Sequence, residues 1–164
     1  MKLNLRFPPT PEYAEQHAEI MVQAAKEISG AELDFSPASL NAVDEIIEQM
    51  RQDGDTVEQI AETLFGFGCY VGEVFVRNKD AKWRLTEETP MKDFAGVPMV
   101  VELGPEQICN PIGKVFKRLE NGKVDNLPYF YYVFTKGDDV PAVPAAPRQK
   151  PSFWRRIFGG SYLP

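Results

Sequence analysis

Histidine is almost missing from this sequence: His17 stands alone among 164 residues, and there are only two cysteines, Cys69 and Cys109. Neither cysteine lies in a CxxC or Cys/His spacing, so a disulfide framework and a structural zinc are both poor explanations of the fold. A Cys69 nucleophile has one histidine in the whole chain to serve as its base, and that histidine falls on a different predicted helix. No apolar run approaches the roughly 18–20 residues that cross a bilayer, and MKLNLRFPPTP holds no apolar stretch of signal-peptide length. The expectation is a cytoplasmic protein with no metal and no cofactor.

What is present suffices for one folded domain. The chain is 43% hydrophobic, 12% aromatic and 26% charged, enough apolar material for a core and enough charge for solubility. The net charge of −6 is unevenly distributed, because from Val140 onward the charged residues are Arg148, Lys150, Arg155 and Arg156, leaving −10 on the remainder. An acidic body of this kind repels a phosphate backbone, so nucleic acid is not an expected partner.

Leu3 to Phe7 reads as a short strand. Thr10-Pro11 then signals a helix start, and Ala14, Ala18, Met21, Ala25 and Ile28 form one face before Gly30 stops the helix. Ser36-Pro37 repeats the signal ahead of Leu40, Val43, Ile46, Ile47 and Met50, with Asp44, Glu45, Glu48 and Arg51 across from them. Asp55 and Glu58 match a capping box for a third, long helix ending near Asn78. Short β-branched and aromatic segments follow at Trp83–Thr86, Val97–Leu103 and Gln107–Cys109, the last two joined at Gly104-Pro105. Asn110-Pro111 opens a fourth helix closed by Asn121-Gly122. For residues 125–136 the spacing of Leu127, Phe130, Tyr131 and Phe134 favours helix, against the strand propensity of YFYYVF. VPAVPAAPRQKP then reads as an extended linker. The predicted fold is α+β: four or five helices packed on a small antiparallel sheet, in a domain over 1–139, followed by a Pro/Ala-rich linker (140–151) and a short amphipathic, basic-aromatic tail (152–164).

Three stretches, LDFSPASL, CYVGEVFVR and NPIGKVFKRLENG, together resemble a widespread family of small bacterial proteins built on a domain of unknown function. The resemblance runs from about Glu32 to Phe134 and implies a bacterial, cytoplasmic protein. It implies no catalytic residue, leaving the first helix and the FWRRIFGG tail to this chain.

Two features carry the functional expectations. Along the third helix Glu62, Gly66, Cys69, Tyr70, Glu73 and Arg77 align on one side, and Gly66 and Gly72 let a neighbour come close. Tyr70, Glu73 and Arg77, with Trp83 as a flat wall, form a candidate ligand-binding pocket; the alternative is that the glycines allow close packing and the Glu-Arg pair satisfies its edge. Asp44 and Glu48 read as a solvated helix face rather than a general acid/base pair, and His17 as a partly buried, hydrogen-bonded histidine. Lys114, Lys117, Arg118 and Lys123 form a basic cluster that either binds an acidic partner or complements the helix dipole and the body's own carboxylates. GFGCYVG fails as a dinucleotide motif because its glycines fall inside a helix.

In the tail, Phe153, Trp154, Ile157 and Phe158 fall on one side of a helix and Arg155 and Arg156 on the other. Its destinations are a membrane surface, a protein partner, a second copy or the chain's own body. The main functional reading is therefore a binding or adaptor protein. Its rivals are a small hydrolase or transferase centred on Tyr70, Glu73 and Arg77, and an immunity-type protein that neutralises a basic toxin.

Overall fold

The computed structural model describes residues 2–135; the predicted linker and tail lie outside them. Among these residues five α-helices, α1 (Ala14–Ser29), α2 (Leu40–Gln52), α3 (Val57–Asn78), α4 (Pro111–Asn121) and α5 (Leu127–Thr135), accompany one antiparallel sheet of three strands, which packs on α3 and α4. The strands are β1 (Ala81–Leu85), β2 (Met99–Leu103) and β3 (Ile108–Cys109), in the order β1-β2-β3. The α+β class stands, and within the ambiguous segment Leu127–Thr135 is helix.

Helix α3 is the axis of the domain. Every residue from Thr63 to Phe75 is buried, because α1 covers one side, α4 another, and β1 a third. This corrects the expectation of a polar side on α3: a helix apolar nearly all round belongs in the middle of a core. Three glycines make the arrangement possible. A Cβ at Gly66 would come within 2.9 Å of Met21 on α1, and one at Gly68 within 2.6 Å of the Ile112 backbone on α4. At Gly72 it would fall inside the Trp83 ring from β1.

Local signals explain most element ends. Gly30 closes α1 in the left-handed region at φ 67, which costs a glycine little. The Asn110 side chain accepts the Gly113 N–H at 2.7 Å and starts α4. Leu103 N–H donates to Gln107 O at 2.7 Å across the turn that joins β2 to β3. Trp83 pairs with Val101, and Val101 with Cys109, which places all three side chains on the same face of the sheet.

Two expectations change. Leu3 to Phe7 alternates half-buried and exposed residues as a strand would but belongs to no sheet; Asn4 N–H donates instead to the Glu62 side chain at 3.1 Å. The capping box of α3 is Thr56 with Gln59, one residue later than expected. Asp55 is buried, and its N–H donates to Met50 O at 3.1 Å.

Candidate functional site

Tyr70, Glu73 and Arg77 sit on successive turns of α3 and meet Trp83 from β1. The Glu73 carboxylate is buried and both its oxygens are engaged: Oε1 accepts from Trp83 Nε1 at 2.9 Å and Oε2 from Arg77 Nε at 3.3 Å. Arg77 continues outward, its Nη2 lying 3.0 Å from Glu15 and 3.5 Å from Glu19, both on α1. It is the one member of the group with substantial solvent contact, its side chain 35% exposed.

Tyr70 faces the connection between α1 and α2, where it meets a residue that sequence reasoning missed. The Tyr70 ring stacks on Phe35 with centroids 4.7 Å apart, and the Arg77 guanidinium carbon lies 3.5 Å from the Phe35 ring centre. Phe35 has φ 59, the only positive φ outside glycine among the described residues, and a bulky side chain there is strained. Its backbone is held at both polar atoms: the N–H donates to Tyr70 Oη at 2.9 Å, and the carbonyl accepts from Asn78 Nδ2 at 2.7 Å. Ser39 Oγ lies 2.6 Å from Tyr70 Oη and 2.6 Å from Ser36 O. With the one Ser39 hydroxyl proton directed to Ser36, Tyr70 donates to Ser39. Burial pushes the Tyr70 phenol up to about 12, against its hydrogen bonds with Ser39 and Phe35, so it stays protonated.

The four predicted residues are therefore brought together, with Tyr70 joined to the rest through Phe35. Their contacts tie the α1–α2 connection, α3, α1 and β1 into one network. The glycine closeness expected at Gly66 and Gly72 is taken up by Met21 and Trp83. Cys69 beside them is buried, and burial, with the Glu73 charge adding to it, raises its thiol well above the ordinary range. That disfavours the thiolate a nucleophile needs.

Other predicted residues divide clearly. His17 is buried as expected, its Nε2 3.1 Å from Pro8 O and its ring edge-on to Phe65 at 5.1 Å. Asp44 and Glu48 are not a solvated face. Arg118 reaches them from α4, fully buried, with Nε and Nη2 on the two Asp44 oxygens at 2.9 and 3.0 Å and Nη1 on Glu48 at 2.6 Å. Within the basic cluster Lys114 is also used internally, 2.6 Å from Asp125, while Lys117 and Lys123 face solvent.

Two uncovered apolar surfaces stand out among the described residues. One is a groove of about 410 Å³ between the N-terminal segment, residues 95–98 and α4, floored by Phe65, Ile112 and Phe116. The other is the outer side of α5. Leu127 and Tyr131 are buried, and Phe130 and Phe134 meet Phe75 edge-on. Tyr129, Tyr132 and Val133, by contrast, are 60%, 49% and 50% exposed, with the two tyrosine rings stacked at 6.2 Å.

Among the described residues no helix is long and apolar enough to cross a membrane, and no group of acidic, histidine or cysteine side chains is placed to hold a metal ion. No curated protein and no solved structure matches the chain. A family model does, over residues 12–101, a span that takes in α1, which the sequence resemblance left out. The match covers more than half of the 164 residues, and the chain belongs to the family of unknown function DUF6278.

Proposed function

We propose that this is a cytoplasmic binding or adaptor protein, whose body and basic-aromatic tail engage another polypeptide. The observation that carries this reading is the outer face of α5. Most of the apolar material in the body is enclosed, yet a nine-residue helix leaves Tyr129, Tyr132 and Val133 in water. Contiguous exposed aromatics of this kind mark contact surfaces, where tyrosine supplies a large area at low entropic cost. The tail that follows in sequence adds Phe153, Trp154, Ile157 and Phe158 with Arg155 and Arg156, and tryptophan and arginine are enriched at binding hot spots.

Binding is preferred to catalysis because the Tyr70, Glu73, Arg77 and Trp83 cluster spends its polar atoms on its own fold. A ligand there would have to displace Glu15 and Glu19 from Arg77 and Trp83 from Glu73.

The test is a photo-crosslinker placed at Tyr132 in living cells, with Glu27 on α1 as the control position. The expected result is an adduct to a discrete second polypeptide from position 132 only. Its binding to the purified protein should fall at least about tenfold in a Tyr129→Gln, Tyr132→Gln variant. Adducts of equal yield from both positions, or none to another protein, would refute the reading.

A further inference from the structure

We infer that the outer face of α5 is the seat of this chain's own residues 153–158, docked within the same molecule, so that a partner reaches α5 by displacing the tail. The inference rests on the binding reading of that face and names what occupies it beforehand.

An uncovered helix face and a segment of matching composition belong to one chain. Apart from Pro128 and Thr135, α5 is built of leucine, valine and aromatic residues, and a helix apolar on all sides is normally covered on all sides. The body covers Leu127 and Tyr131 fully and Phe130 and Phe134 in part. The exposed side offers two stacked tyrosine rings and a valine. Residues 153–158 offer three aromatic rings, an isoleucine and two arginines. Arginine stacks on tyrosine faces, and aromatic rings pair edge-on or offset, so each half supplies what the other lacks. The four positive charges after residue 139 also favour return to a body carrying −10.

Chain length favours the same molecule over a second copy. Seventeen residues, 136–152, separate α5 from Phe153. As an extended proline-rich segment they reach about 50 Å, against roughly 35–40 Å across a domain of this size. The seat lies on the helix from which the linker departs, so the linker spans the distance without strain. A tether of this length gives an effective concentration on the order of mM, about a thousandfold above a protein at µM concentration.

The experiment uses the purified full chain carrying Trp154→benzoylphenylalanine, irradiated at about 1 and 100 µM and mapped by peptide mass spectrometry. The expected adduct joins position 154 to residues 129–133 of the same chain, in equal yield at both concentrations. It should fall at least about tenfold in the Tyr129→Gln, Tyr132→Gln variant, with the thermal midpoint of the domain unchanged. Three results would overturn the inference: an adduct between chains that grows with concentration, one in the groove at Val97 or Phe116, or no adduct above that of a crosslinker placed at Gln149. Each of these leaves the cellular adduct at Tyr132 untouched, so the two readings fail separately.

Discussion

Replacing Arg118 with methionine would remove the cation from a buried cluster while leaving its two carboxylates in place. Arg118 is 0% exposed, and its contacts with Asp44 and Glu48 join α4 to α2. Asp44 Oδ1 also accepts the Leu127 N–H at 2.8 Å, so the same carboxylate sets the start of α5. In the R118M variant Glu48 keeps Gln52 at 3.2 Å and a looser Arg51 at 3.7 Å, and Asp44 keeps Leu127. Stranding one side of a buried ion pair costs about 3–5 kcal/mol, a large part of the roughly 5–15 kcal/mol that holds a domain folded. At this size that lowers the thermal midpoint by roughly 10–20 °C.

The pH dependence separates lost charge pairing from simple loss of packing. In the native protein burial works to raise the Glu48 carboxyl, but the hydrogen bonds from Arg118 and Gln52 and the charges of Arg118 and Arg51 outweigh it. They hold it below its ordinary 4.5. This contribution to stability is complete above that ordinary value and disappears as pH falls through the depressed folded one. Without Arg118 the burial is opposed only by Gln52 and the more distant Arg51, the Glu48 carboxyl moves up, and the variant loses less than wild type as pH falls. The gap between R118M and wild type, measured by urea unfolding, should therefore narrow from pH 7 toward pH 4. A triple variant, Asp44→Asn, Glu48→Met and Arg118→Leu, should recover most of the loss at pH 7, because it leaves no stranded charge and retains an acceptor for Leu127. A gap under 1 kcal/mol at pH 7, or one that does not change with pH, would refute the reasoning.

Alanine substitutions in α3 should rank by what each added Cβ meets, checked by thermal unfolding. Gly68→Ala meets α4 backbone and loses most, about 1–3 kcal/mol; Gly72→Ala displaces the Trp83 ring and its bond to Glu73; Gly66→Ala meets only the flexible Met21 and is nearly neutral once helix propensity is counted. Tyr70→Phe should cost about 1–3 kcal/mol, read from urea midpoints, because it leaves the buried Phe35 N–H without an acceptor. The His17 imidazole is held below its ordinary 6.5 by burial, which outweighs its bonds to the Pro8 and Phe7 carbonyls. Its stability contribution is thus complete above pH 6.5 and declines as pH falls toward the depressed folded value, a slope that His17→Gln should flatten; NMR of the one histidine gives the folded value directly.

The sequence was most informative where a signal is local. Gly30, Asn110-Pro111 and Asn121-Gly122 mark helix ends through the chemistry of a few adjacent residues, and the structure places the ends there. Residues 125–136 were ambiguous because aromatic residues suit strands, and helix won because Leu127 and Tyr131, four apart, both reach the core. The capping box slipped by one because Asp55 with Glu58 and Thr56 with Gln59 match the same pattern, and burial of Asp55 decided between them. Asp44 and Glu48 were misread because an acidic stripe at helical spacing looks the same whether it faces water or an arginine. That arginine lies on α4, more than sixty residues away. Phe35 gave no polar signal at all, since its importance lies in a backbone angle and in side chains that arrive from α3.

The burial of α3 also explains why chemistry was hard to place along it. A central helix has no free side, and three of its polar residues become joints to neighbouring elements: Tyr70 to the α1–α2 connection, Glu73 to β1, Arg77 to α1. Such joints imitate an active site in sequence, because catalysis and buried packing both draw on tyrosine, carboxylate and arginine beside glycine. The difference lies in whether an acceptor or donor is left over. In this cluster the phenol and both Glu73 oxygens are committed, whereas on α5 it is apolar area that is left over, and leftover area calls for a surface to cover it. That asymmetry directs the search for function away from the centre of the domain and toward its last helix.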